Sequence, residues 1–132
     1  MFLLDTNACI RILNNSSPPL IANMQKHTPD EIFLCAVVKA ELTFGAYHST
    51  QVAENLRVLA KFFEPFVSLP FDDACVMNYG RIRAELTRQG TIIGPYDLMI
   101  AATAVTHNLT LITHNTREFE RVAGLMLEDW EI

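Results

Sequence analysis

Apolar positions fall into two rhythms along this chain. Short continuous runs of strand length, Phe2 to Leu4, Ile32 to Cys35, Phe66 to Leu69, Leu109 to Thr113 and Leu125 to Leu127, alternate with stretches in which apolar residues recur at helical spacing. The runs predict strands, the first buried on both faces. The periodic stretches predict helices over Ala8 to Leu13, Leu20 to Lys26, Val38 to Tyr47, Val52 to Phe63, Asp72 to Gln89 and Pro95 to His107. Turn formers separate them: Asn14 to Pro19 ends the first helix, Gly90 closes the longest, and Gly94 with Pro95 opens the next. No repeat, low-complexity tract or linker interrupts this order, so residues 1–132 read as one domain. Strands alternating with helices predict a parallel sheet of five strands in a three-layer α/β/α sandwich. Such sheets bind ligands at the carboxyl ends of their strands.

Composition narrows the class. Of 132 residues, 50% are hydrophobic and 19% charged, far from the balance of a disordered chain. Cys9, Cys35 and Cys75 are widely separated, without a CxxC pair or histidines at zinc-ligand spacing, and read as reduced core thiols of a cytoplasmic protein. No apolar stretch approaches bilayer-crossing length, so no membrane association is expected. The formal net charge of -5 opposes a generic grip on phosphate backbones. Carboxylates converging on divalent cations would cancel most of that charge, so RNA and DNA stay open.

Four polar places sit where apolar residues would be expected. Asp5 ends the first strand directly after four apolar residues, although Asp-Thr-Asn also suits a helix N-cap. Glu41 shares a helical stripe with Val37, Val38 and Leu42; a carboxylate there needs a cation, hydrogen bonds or an ion pair. Asp97 shares a face with Ile100, Ala101 and Ala104 in an almost wholly apolar helix, where accepting first-turn N–H groups is the alternative. The fourth place is Thr113 to Glu118, leaving another strand end. Asn115 offers an amide oxygen, Thr113 a hydroxyl and Glu118 a carboxylate, unless Asn115 or Thr116 merely caps a helical turn.

Brought together, these acids would repel one another without a cation. Oxygen-only ligands select Mg²⁺ or Mn²⁺, and such a metal supports phosphodiester hydrolysis without a serine, cysteine or histidine nucleophile. His27, His48, His107 and His114 show neither triad nor zinc spacing and read as surface or helix-end residues; a substrate contact is a minority alternative for His114.

Leu3-Leu4-Asp5-Thr6-Asn7, Ala40-Glu41-Leu42 with Gly45, Gly94 to Ala102, and Leu111 to Phe119 resemble, in order and spacing, the PIN-domain ribonucleases. More narrowly they resemble the VapC toxins of type II toxin–antitoxin modules, over essentially the whole chain to Glu128-Asp129-Trp130. The resemblance implies a Mg²⁺- or Mn²⁺-dependent endoribonuclease that leaves a 5′-phosphate and a 3′-hydroxyl. It implies that Asp5, Glu41 and Asp97 hold metal, that Thr6 and Thr113 support the site and approach substrate, and that Asn115 stands where many PIN domains carry a fourth aspartate. Glu118 is expected to contribute there instead. Ile82-Arg83-Ala84-Glu85-Leu86 followed by Gly94-Pro95 looks like the branch that cuts initiator tRNA in its anticodon loop and arrests translation. A VapB-type antitoxin and a homodimer within the complex are the implied partners.

Other features weigh less. Arg117, beside the expected site, is the candidate for RNA phosphate, whereas Arg81, Glu85 and Arg88 read first as a solvated face with an Arg81–Glu85 pair. Val52, Leu56, Leu59 and Phe63 predict a core-facing stripe, with Val58 and Phe62 a second stripe suited to a partner. A catalytically weak PIN-like binding module is the competing reading, supported by the absent fourth acid. A phosphoacceptor receiver domain fares worse, because no acid pair ends the first strand and no lysine follows Thr113.

Overall fold

A computed structural model describes residues 1–132. Its strands are β1 (Phe2–Leu4), β2 (Ile32–Cys35), β3 (Val67–Leu69), β4 (Thr110–Ile112) and β5 (Met126–Glu128). Its helices are α1 (Thr6–Leu13), α2 (Pro18–Met24), α3 (Ala36–Tyr47), α4 (Val52–Phe63), α5 (Asp73–Gln89), α6 (Pro95–Thr106) and the single turn α7 (Thr116–Phe119). All strand pairs are parallel, in the order β3-β2-β1-β4-β5. The predicted five-stranded parallel sheet is present. Successive residues Leu3 and Leu4, Leu34 and Cys35, and Leu111 and Ile112 are all fully buried although they point to opposite faces. Helices therefore cover the sheet on both sides, as a three-layer sandwich requires.

Local chemistry accounts for the boundaries. The Asp5 carboxylate accepts the Ala8 N–H at 2.7 Å and caps α1, and Asp72 does the same for α5 through Cys75 at 3.2 Å. Gly90 ends α5 at φ 68, a left-handed conformation that costs glycine little. Two expectations shift. Helix α3 starts at Ala36, two residues early, because β2 runs into it without a turn. In α4 only Leu59 is buried; Leu56 and Phe63 are half-buried against the core edge, and Val52 is half-buried without joining it. Phe62, expected on a partner stripe, packs against Phe63 and Phe66 instead, leaving Val58 exposed. His27, expected at the surface or a helix end, lies just past the end of α2, half-buried, stacked on Trp130 and tilted against Phe2.

The strand order positions the site. From β1 the chain steps outward through β2 to β3, then returns to the other side of β1 with β4 and β5. The reversal leaves a crevice beyond the carboxyl ends of β1 and β4, where neither connection fills the gap. The Asp5 N–H donates to the Ile112 carbonyl at 3.1 Å, joining the two strand ends.

The sheet centre should therefore govern stability. Leu111 is fully buried on β4, and Leu111→Ala is expected to cost about 2–5 kcal/mol, measured by urea denaturation of the metal-free protein.

Candidate active site

Four elements deliver acids to that crevice. Asp5 follows β1, Glu41 lies in the second turn of α3 after β2, Asp97 lies in the first turn of α6, and Glu118 lies in α7 after β4. Asp5 is 5% exposed. Burial raises its carboxyl pKa above 3.8, while the Thr113 hydroxyl, the Ala8 N–H and the Arg11 charge pull it back and the Glu131 charge raises it. Asp97 is half-buried and pushed up to about 6, first by burial and then by the charges of Asp5, Glu41 and Glu118. Asp97 thus reports that all four carboxylates share one electrostatic neighbourhood.

Short hydrogen bonds hold the acids in place. The Thr6 hydroxyl donates to Glu41 Oε1 at 2.7 Å, tying α1 to α3. The Asn115 amide donates to Glu118 Oε2 at 3.1 Å, and the Asn115 N–H donates to the Thr113 hydroxyl at 3.0 Å. Asn115 therefore orients Glu118 instead of adding a fourth charge. Thr113, expected to approach substrate, is 1% exposed and faces the protein interior beside Asp5. Its hydroxyl supports the acid and cannot reach an RNA chain. Arg117 is exposed on α7, with no ion pair restraining it. The bland reading of α5 holds, since Arg81 and Glu85 pair at 3.4 Å on its surface.

The donor set suits a hard divalent cation. It consists of carboxylate oxygens, one of them driven toward protonation by burial and then by its neighbours, and deprotonating such a group is what a bound cation favours. Thiols play no part: Cys9, Cys35 and Cys75 are buried and free, and burial pushes Cys35 up to about 11.

Some residues at the crevice edge escaped sequence reasoning. Asn7 and Arg11, one turn apart on α1, line a small cavity with Asp5, His114 and Asn115. His114 Nδ1 meets Asp129 Oδ2 at 2.9 Å, and Arg11 Nε meets Glu131 Oε1 at 3.3 Å. The four-residue spacing of Asn7 and Arg11 behind Asp5 was the available signal; no local pattern announces the pairing with residues near the C-terminus.

A parallel sheet with a carboxylate cluster at its switch point defines the class, and a PIN domain family model matches residues 2–125. Among curated proteins, the tRNA(fMet)-specific endonuclease VapC of Shigella flexneri is 41% identical over 129 residues, 98% of this chain and 97% of that protein. Ribonuclease VapC2 of Rickettsia felis is 34% identical over 132 residues, covering 99% and 98%. Among solved structures, DNA-bound VapBC from Salmonella typhimurium superposes with a TM-score of 0.92 at 38% identity, over 98% of this chain and 97% of that one. VapBC2 from Rickettsia felis, bound to a DNA fragment from its promoter, gives 0.89 at 34% identity, over 98% of each chain. The chain belongs to the PIN-domain family, in its VapC ribonuclease branch.

Two outcomes follow from the crowded carboxylates. Because the folded state binds the Asp97 proton more tightly than the unfolded chain, this group's contribution is favourable at low pH and is lost as pH rises from about 4 through about 6. Asp97→Asn should therefore stabilise the metal-free protein, with the gap to wild type widening over that window in urea denaturation. Thr6→Val removes the bond to Glu41 and should weaken divalent-cation binding about tenfold or more by titration calorimetry.

Proposed function

We propose that this chain is the toxin of a toxin–antitoxin pair, an endoribonuclease dependent on Mg²⁺ or Mn²⁺ that cuts initiator tRNA in its anticodon loop and so blocks translation. The observation that carries this reading is the placement of Asp5 after β1, Glu41 early in α3, Asp97 in the first turn of α6 and Glu118 in α7, all at the carboxyl-end side of one parallel sheet, because an all-oxygen donor set suits a hard cation. Asp5, Glu41 and Asp97 hold the metal, with Glu118 contributing from the α7 side. A divalent cation bound there supplies acidified water and neutralises charge developing on the phosphate. Thr6 holds Glu41, Thr113 holds Asp5, and Asn115 holds Glu118. Exposed Arg117 meets the RNA backbone.

The curated relatives named as tRNA(fMet)-specific endonucleases support the substrate, and the VapBC complexes support a VapB-type antitoxin as partner. Two apolar surfaces suit protein partners. A groove lined by Ile10, Leu13, Leu42, Val58 and Leu59 has Glu41 on its wall, so a segment seated in it reaches the acid cluster. On the other side of Glu41, exposed Phe44, Tyr47 and Tyr96 suit a second copy of the chain in a homodimer. No helix is long and apolar enough to cross a membrane, and we place the protein in the cytoplasm as one PIN domain over residues 1–132.

The competing binding-module reading rests on Asn115 standing where an acid would. Antitoxin-free protein given total cellular RNA should cut with Mg²⁺ or Mn²⁺ and stop with EDTA, the ends mapping to one tRNA anticodon loop. Asp5→Asn, Glu41→Gln and Asp97→Asn should each lower the rate at least about 100-fold while remaining folded. Absence of any metal-dependent cut from folded wild type would favour the binding module; cuts elsewhere would keep the reaction and reject the tRNA.

A further inference from the structure

Beside Asp5 lies a cavity of about 180 Å³ with no apolar wall, lined by Asp5, Asn7, Arg11, His114 and Asn115. Two of its side chains are braced from behind by the chain's last residues. Glu131 Oε1 takes Arg11 Nε at 3.3 Å, Asp129 Oδ2 takes His114 Nδ1 at 2.9 Å, and Asp129 Oδ1 also accepts the Glu131 N–H at 2.9 Å. The acids are nearly covered, at 11% and 12% side-chain exposure, whereas Arg11 and His114 keep 36% and 54%. The bracket therefore lies inside and the basic groups face outward.

Chemistry narrows the occupant. Arg11 spends Nε on the bracket and keeps both terminal nitrogens, a fork suited to a phosphate. An ionised carboxylate only accepts, so Asp129 fixes a proton on His114 Nδ1, and in the neutral tautomer this leaves Nε2 as an acceptor. A phosphate and a hydroxyl donor in one small polar cavity describe a ribonucleotide, whose 2′-hydroxyl is the group DNA lacks. A cation fits less well: donor atoms of His114, Asp129 and Glu131 lie within 4.8 Å of one another, but Glu131 already faces Arg11 and Asp129 already faces His114.

We propose that Asn7, Arg11 and His114 form a subsite for the ribonucleotide flanking the scissile bond. Arg11, with Asn7, takes its phosphate, and His114 Nε2 accepts its 2′-hydroxyl. Asp129 and Glu131 are positioning residues. This assignment rests on the endoribonuclease reading for its place beside the cut, so its test separates the two.

The probe is an initiator-tRNA anticodon stem-loop RNA, together with copies carrying a single 2′-deoxy substitution at each nucleotide around the cut. Fluorescence anisotropy in EDTA measures binding, and cleavage with Mn²⁺ gives KM and kcat. Arg11→Ala should weaken binding about tenfold and reduce the slope of log affinity against log salt by about one, raising KM with kcat little changed. For wild type, one deoxy position should weaken binding; His114→Ala should weaken the all-ribo RNA and become indifferent to that position. Asp129→Asn should lose the same discrimination in part, although the cavity wall is intact. Wild-type salt slope in Arg11→Ala, or undiminished deoxy sensitivity in His114→Ala, overturns the subsite, as does failure of wild type to bind the RNA. Cleavage lost in every variant and in wild type, with the binding differences intact, refutes the nuclease reading and keeps the subsite.

Discussion

Burying carboxylates near one another is the constraint around which the site of this molecule is organised. Asp5, Glu41, Asp97 and Glu118 arrive from four separate elements at one crevice, and Asp97 is lifted from 3.8 to about 6, first by its burial and then by the charges of the other three. Three of the four acids are restrained locally. Asp5 is held by the helix it caps, Glu41 by Thr6, and Glu118 by Asn115. The restraints explain why polar neighbours of the acids matter as much as the acids: they keep charges converged that would otherwise rotate apart. Destabilisation at a site of this kind is the expected companion of cation binding.

The surroundings of the cluster divide by chemistry. Toward α3 and α4 the walls are apolar, with Leu42, Val58 and Leu59 beside Glu41, a surface suited to a protein chain. Toward α1 and the last residues the wall is wholly polar, with Arg11 and His114 braced by Glu131 and Asp129. On that polar side the terminal nitrogens of Arg11 are the cationic groups left to meet an anion, because Nε already faces Glu131.

Much of this was legible in the residues. Runs such as Ile32 to Cys35 and Leu109 to Thr113 announced buried parallel strands, and Asp72, Gly90 and Pro95 marked helix ends within a residue or two. Asp5, Glu41 and Asp97 stood out because a charge on an apolar stripe is anomalous within a few residues of sequence. Where reading failed, the cause was contact at a distance. Thr113 looked like a substrate ligand until the sheet buried it, and Phe62 looked like partner surface until it turned against Phe63 and Phe66.

Sequence alone determined most of the elements and the fold class and singled out Asp5, Glu41 and Asp97 as candidates, because propensity, capping and hydrophobic period act over a few residues and leave their pattern in the chain. Only the tertiary structure decided which polar groups meet. The Thr6–Glu41 bond spans 35 positions, and the Arg11–Glu131 pair joins the first helix to the end of the chain. The first contact follows from β2 pairing beside β1 and the second from β4 and β5 returning on the other side of β1, choices made by packing the whole sheet at once that no local pattern encodes.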